Sequence, residues 1–446
     1  MGEREDRRES SMVKEFLYSQ KKIYDPIHGF IRFDDIVEKT LIDSIPMQRL
    51  HNISQLGVAY LVYPGATNSR FAHSLGVMEL ATLIYKRICK KVRPDLFDFL
   101  PMKGSVEYVY WKRILRIACL CHDFGHLPFS HAAENDILEG KGHEYWTLKI
   151  IQSPYLKKVW QLLKEAPYIH KSLKKRDFVE DVMKIAIGEE KLNKICPDNK
   201  LQFSNWERVL SNIITGDFFG ADRMDYLLRD AKYTGVAYGL FDYLQLIESL
   251  RLLPNDQGGF ELGIDENGLE SCEALFLARH FMFKRVYLHP SIKAFSFHLR
   301  RAMKNLGLFQ NMQDNVDKFL SVTDAQVTAE LMDAAKDKKS PVFGDAKKIV
   351  YREAHYKAIP IEEEISEEEI LNFKKKNNLK DDELFIESLK PDLIKKDVSF
   401  LVSRRYFAVE KAKNLSTLFE SIAFRPQKYV YIAPEYEQIF LQAIKQ

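Results

Sequence analysis

Between residues 21 and about 310, apolar positions recur at intervals of three and four. This is the spacing that gathers them on one face of a helix advancing about 100° per residue. The stretches 74–91, 111–121, 142–151 and 216–230 show it most plainly, so residues 21–310 are expected to form a mainly α-helical domain. One interruption runs from Gly258 to Gly268, where a short strand leads into a turn rich in Asp, Asn and Gly. It is expected to be a β-hairpin, with helix resuming near Leu269. Past residue 310 the texture changes. Charged runs at 362–369 and 374–376 precede β-rich segments at 398–409 and 428–432, and residues 311–446 are expected to form a smaller α+β appendage. The acidic run is expected to be a solvated helix face. Residues 1–20 are dense in charge and serine and are expected to be a flexible lead-in.

Composition narrows the class of protein. A chain of 446 residues can bury a sizeable core, and 66 Lys plus Arg against 63 Asp plus Glu leave a formal charge of only +3, so no polybasic nucleic-acid tail dominates. The five cysteines, Cys89, Cys119, Cys121, Cys196 and Cys272, are scattered and form no CxxC pair. Neither a disulfide framework nor a structural zinc site is expected. No uninterrupted apolar stretch reaches membrane-spanning length, and the first twenty residues are too charged for the apolar core of a signal peptide. The expected location is cytoplasmic, with no membrane partner.

The segment His122-Asp123-Phe124-Gly125-His126-Leu127-Pro128-Phe129-Ser130-His131 carries the most chemistry. It follows the apolar run 114–121 and places three of the chain's 12 histidines beside an aspartate, a concentration that packing alone does not explain. His through a ring nitrogen and Asp through oxygen can share one cation. Two other places could complete the shell. His73 begins an amphipathic helix, and Asp222, Tyr226 and Asp230, spaced by four, form one stripe of another. For Asp225 and Arg229 an ordinary i,i+4 ion pair at the surface is expected.

The order His73, His122-Asp123, Asp222 resembles the H…HD…D signature of the HD-domain metal-dependent phosphohydrolases. The flanking words Asp25-Pro26-Ile27-His28-Gly29, Gln48-Arg49-Leu50, Gln55-Leu56-Gly57 and Arg70-Phe71-x-His73-Ser74-x-Gly76 are similar to those of the deoxynucleoside triphosphate triphosphohydrolases. The likeness extends from about Lys21 to His289, and no preceding SAM domain is expected. The resemblance implies a divalent metal, Mn, Mg, Fe, Ni or Zn, held by His73, His122, Asp123 and Asp222. It implies that His131, oriented by Glu134 where relatives often have Asp, carries a proton, and that His126 and His143 lie near the phosphates.

By the same resemblance Gln55, Arg70, Tyr226, Asp230 and Tyr287 surround the base and sugar, with Tyr287 under C2′ favouring deoxyribose. Arg223 and Arg279 are expected triphosphate partners. A dNTP or GTP effector would be read by Lys21, Asp43 and Gln48, although His51, Asp265, Asn267 and Pro290 depart from the pattern of that site. A dimer or tetramer is implied by the family alone. The stretch 279–304 carries seven basic and no acidic residues, which leaves nucleic-acid binding as a minority expectation. The expected activity is hydrolysis of a dNTP to deoxynucleoside and tripolyphosphate. The alternatives are an HD phosphohydrolase acting on another nucleotide phosphoester, and a non-catalytic nucleotide- or nucleic-acid-binding protein.

Overall fold

The computed structural model describes residues 21–446 except 91–95, 97–98, 139, 167–168, 170–172, 174, 199–200, 311, 354, 362–365, 381–382, 390–399, 406–407, 422–426 and 444–446. The expected lead-in of residues 1–20 lies outside the described residues, as do positions 362–365 of the acidic run and positions 398–399 and 406–407 of the first β-rich segment. The fold is mainly α. At its centre is α1 (Arg70–Ile88), buried on nearly every side from Phe71 to Ile88, with α2 (Val106–Cys121) packed along it. Ser105 caps α2 by accepting the Tyr108 N–H, and the helix ends at His122, just ahead of the Gly125 and Pro128 that break helical geometry. Also in this bundle are α3 (Gly142–Ile151), α4 (Phe178–Ile187), α5 (Asn205–Thr215) and α6 (Ala221–Thr234). A Ser204–Glu207 capping box starts α5, and Gly235 in the left-handed region ends α6.

The expected helices form with shifted ends. The 216–230 pattern becomes helix only at Ala221, because Gly216 and Gly220 lie in a turn where a Cβ would meet backbone carbonyls. The expected hairpin also forms, one strand earlier. Leu250–Pro254 pairs antiparallel with Phe260–Asp265 around a turn at Asn255–Gly259, where Gly258 has φ +75°. The Asp-Asn-Gly stretch instead opens α7 (Leu269–Met282) through one 3-10 turn. This helix continues into a π-helical turn, Phe283–Tyr287, and α8 (Pro290–Asn305) follows.

Beyond residue 310 part of the chain packs into the clusters of the preceding residues and part forms a cluster of its own. Phe319, Leu320, Phe400, Val402 and Phe419 belong to the main core, and strand Leu401–Ser403 pairs in parallel with Phe260–Asp265. Val322 to Ile349 joins α8 and Val58–Ala59 in a second cluster. A three-stranded sheet, Lys357–Pro360, Gln427–Ile432 and Leu384–Leu389, forms a third with the Glu367–Lys376 helix. That helix exposes Glu367, Glu368 and Glu369 in its first turn. All five cysteines are free thiols. No helix among the described residues is long and apolar enough to cross a membrane.

Candidate metal and nucleotide site

Three helices converge on one buried point. His73 near the start of α1, His122 at the end of α2 and Asp222 at the start of α6 bring ligand atoms within 4.8 Å of one another, an arrangement able to hold a divalent cation. His73 Nε2 lies 3.0 Å from Asp222 Oδ1 and 3.6 Å from Asp123 Oδ2. His122 donates through Nδ1 to the Cys119 carbonyl at 2.7 Å. Its Nε2 is buried without a hydrogen-bond partner among the described residues and lies 3.3 Å from Asp123 Oδ1. Burial would lower the His73 pKa, yet hydrogen bonds to Asp222 and Asp225 raise it to about 10. Such a demand for positive charge, together with an orphaned imidazole nitrogen, fits a bound cation. Two imidazoles and two carboxylates suit a borderline metal.

The ligands are held from behind. Asp225 takes His73 Nδ1 at 2.8 Å, His28 Nε2 at 2.6 Å and two donors of Arg229, and Arg229 reaches on to Asp25 at 2.7 Å. The ion pair expected at the surface does form, but Asp225 and Arg229 are both fully buried. A carboxylate on the far nitrogen fixes the tautomer, leaving Nε2 of His73 for the cluster. Burial would push Asp225 up, but Arg229, His28 and His73 hold it well below the ordinary carboxylate range. The sequence reading missed Asp225 in this role. The only signal was its register, three residues from Asp222 on one helix. Asp25 and His28 stood in a motif whose use was unassigned.

Beside the cluster, Asp123 accepts from Arg70 Nη1 at 2.5 Å and lies 3.2 Å from His126 Nε2. Glu134 joins two further histidines: Oε2 takes His131 Nδ1 and Oε1 takes both the backbone N–H and Nδ1 of His143, each at 2.6 Å. The rings of His126 and His143 stack at 3.9 Å. Burial opposes ionisation of Glu134, but the hydrogen bonds from His131 and His143 keep its carboxyl far below the ordinary range. Burial, Arg70 and His143 drive His126 well below the ordinary imidazole value, so that ring is neutral.

A cavity of about 550 Å³ adjoins this array. Gln55, Arg70, His131, Tyr226, Asp230 and Tyr287 line it. Asp230 accepts from Asn68 at 2.8 Å and from the Tyr287 hydroxyl at 2.9 Å, and the rings of Tyr226 and Tyr287 meet edge-on at 5.9 Å. The π-helical turn is what presents Tyr287 here. Gln55 Oε1 is buried with no hydrogen-bond partner among the described residues.

Two groups of expected residues do not line this cavity. Arg223 is bound to Asp217, and it lines with Asp222 a separate cavity of about 560 Å³; with Arg279 it lines a small apolar cleft. Lys21, Asp43 and Gln48 are exposed; Gln48 donates to the Ile42 carbonyl, and none of the three lines the 550 Å³ cavity. His51 stacks on Phe71 at 3.6 Å. Of the basic stretch, Arg300 faces Asp136 at 3.3 Å and Arg301 faces Asp345 at 3.3 Å, so part of its charge is met within the chain.

Residues 70–186 match the model of the HD domain and residues 241–384 that of the HD associated region. The chain contains an HD domain. It is similar to an uncharacterised protein of Methanocaldococcus jannaschii, 32% identical over 66% of this chain and 53% of that one. It also resembles the deoxynucleoside triphosphate triphosphohydrolase SAMHD1 homolog of Dictyostelium discoideum, 28% identical over 74% of this chain and 58% of that one. The chain spans about half the length of the first of these curated relatives. Among solved structures, a hypothetical protein from Aquifex aeolicus superposes with a TM-score of 0.72 at 29% identity, covering 95% of this chain and 99% of that one.

Proposed function

We propose that the chain is a metal-dependent phosphohydrolase acting on deoxynucleoside triphosphates, releasing a deoxynucleoside and tripolyphosphate. One observation carries this: a nucleoside-sized cavity lined by Gln55, Asp230 and Tyr287 also contains His131 and Arg70, which contact Glu134 and Asp123, the carboxylate that borders the His73–His122–Asp222 cluster. The likeness to triphosphohydrolases of that name supports the choice of substrate. His73, His122, Asp123 and Asp222 would hold the metal, which supplies Lewis-acid polarisation of a phosphate oxygen. His131, with Nδ1 engaged by Glu134, has Nε2 left to protonate the departing 5′ oxygen. By the same likeness His126 and His143 lie near the phosphates, His126 with Nε2 held by Asp123 at 3.2 Å and His143 with Nδ1 held by Glu134. Asp230 and Tyr287 engage the 3′-hydroxyl, and the Tyr287 ring excludes a 2′-hydroxyl.

The test is to incubate the protein with each dNTP, singly and in mixtures containing dGTP or dATP, with Mn or Mg, and to resolve the products by ion exchange. Deoxynucleoside with intact tripolyphosphate is expected, and both should vanish with bound metal in His122→Ala or Asp123→Ala. If no metal and no mixture yields deoxynucleoside, the assignment fails.

A further inference from the structure

Asp324 opens the Asp324–Ala334 helix, within the HD associated region and far along the chain from the site. Its Oδ1 accepts the Phe129 N–H at 2.8 Å and its Oδ2 accepts the Ser54 N–H at 2.9 Å. The Phe129 amide opens, and the Ser54 amide immediately precedes, the two segments that wall the cavity, Phe129 to Ala132 and Gln55 to Ala59. The segment from Phe129 is strained, since Phe129 and Ser130 have φ of +56° and +57°. This left-handed region is unfavourable for residues with a Cβ, and surroundings must impose it. The two segments also touch: the Ser130 hydroxyl donates to the Ser54 carbonyl at 2.6 Å, and a Cβ on Gly57 would approach the Phe129 carbonyl oxygen to 3.0 Å. From the opposite side Arg49 donates to the His126 carbonyl at 2.9 Å and twice to the Val322 carbonyl, at 3.1 and 3.0 Å. The loop that carries His131 is thereby braced twice against the start of one helix outside the HD domain.

We propose that Asp324 is a positioning residue for His131: it imposes the strained Phe129–Ser130 backbone and so sets where the imidazole stands in the cavity. Only a carboxylate accepts from both amides. An Asn would present its NH2 to one of the two N–H groups, and an Ala would leave both without a protein acceptor. The kinetic consequence rests on the proton role proposed for His131, whereas the backbone consequence does not.

The test compares full-length, metal-loaded Asp324→Asn and Asp324→Ala with the parent protein by amide exchange over residues 127–132, metal content, and kcat and KM on the substrate found above. We expect exchange of the Phe129 amide to rise at least about tenfold. We expect kcat to fall about a hundredfold, as for a misplaced catalytic group, with KM within a few-fold and metal content unchanged. Parental exchange and kcat in both variants would overturn the proposal. So would loss of metal and melting temperature in step with kcat, which marks a residue that merely holds the fold. Asp324→Asn is the milder change and decides the matter if Asp324→Ala does not fold. A parent protein inactive on every dNTP would defeat the proposed function and leave the exchange comparison standing.

Discussion

At the scale of single residues, Asp230 combines a buried position with a polar task. Burial pushes its carboxyl up to about 6, although hydrogen bonds from Asn68 and Tyr287 pull the other way. An unfolded Asp titrates at its ordinary 3.8. The folded state therefore binds the proton more tightly, and stability should fall as pH rises from about 4 to 6 and stay reduced above. The penalty is at most about 3 kcal/mol for a shift of this size. Asp230→Asn should then melt higher than the parent at pH 8 and converge with it near pH 4, while turnover drops. A melting difference that does not vary with pH would mean that ionisation is not the cause. His131 makes the complementary case. Its side chain is 64% exposed and touches Glu134, so His131→Ala should leave stability and metal content intact and reduce kcat by about 10²–10⁴. An equal loss of nucleotide affinity would make it a binding group instead.

At the scale of elements, the site depends on how closely α1 and α6 approach. Gly76 permits that approach, since a Cβ there would lie 1.8 Å from Asp225 Oδ1 and 2.5 Å from an Arg229 nitrogen. Gly76→Ala must push α6 away or displace the carboxylate behind His73. We expect a loss of about 1–3 kcal/mol from overpacking and metal affinity about 10–100-fold weaker, the usual effect of disturbing a ligand's hydrogen-bond partner. Gly307→Ala, with open space around the new methyl group, is the control and should change neither. Parental metal affinity in Gly76→Ala would show that the carboxylate has other room to reach His73.

At the scale of the whole molecule, metal binding and folding should be linked, because ligands from α1, α2 and α6 come together only in the folded chain. Saturating Mn or Zn at about a hundred times Kd should stabilise the protein by about 2.7 kcal/mol. Calorimetry with and without a chelator measures this as a shift in Tm. The shift should disappear in His73→Ala; its persistence there would place the cation elsewhere.

Helix positions were legible in the sequence because the 3.6-residue repeat and the caps are local. The stretch 142–151, for example, is a helix over those same residues. The concentration of His and Asp at 122–131 was legible too, as a chemical signal in one dimension, whereas the order His73, His122-Asp123, Asp222 was supplied by the resemblance to a family. The hairpin was recognised but shifted, because turn-forming residues flank the strand Phe260–Asp265 on both sides and only its partner strand selects which turn closes it. Tertiary structure alone decided what depends on a distant neighbour. Asp225 looks like any helical acid beside an arginine until α1 and the His28 turn cover it. Asp324 is one acid among many until two amides 270 and 195 residues away converge on it. Periodicity determines which face of a helix is buried, but which residue that face will meet is set by packing across the whole chain.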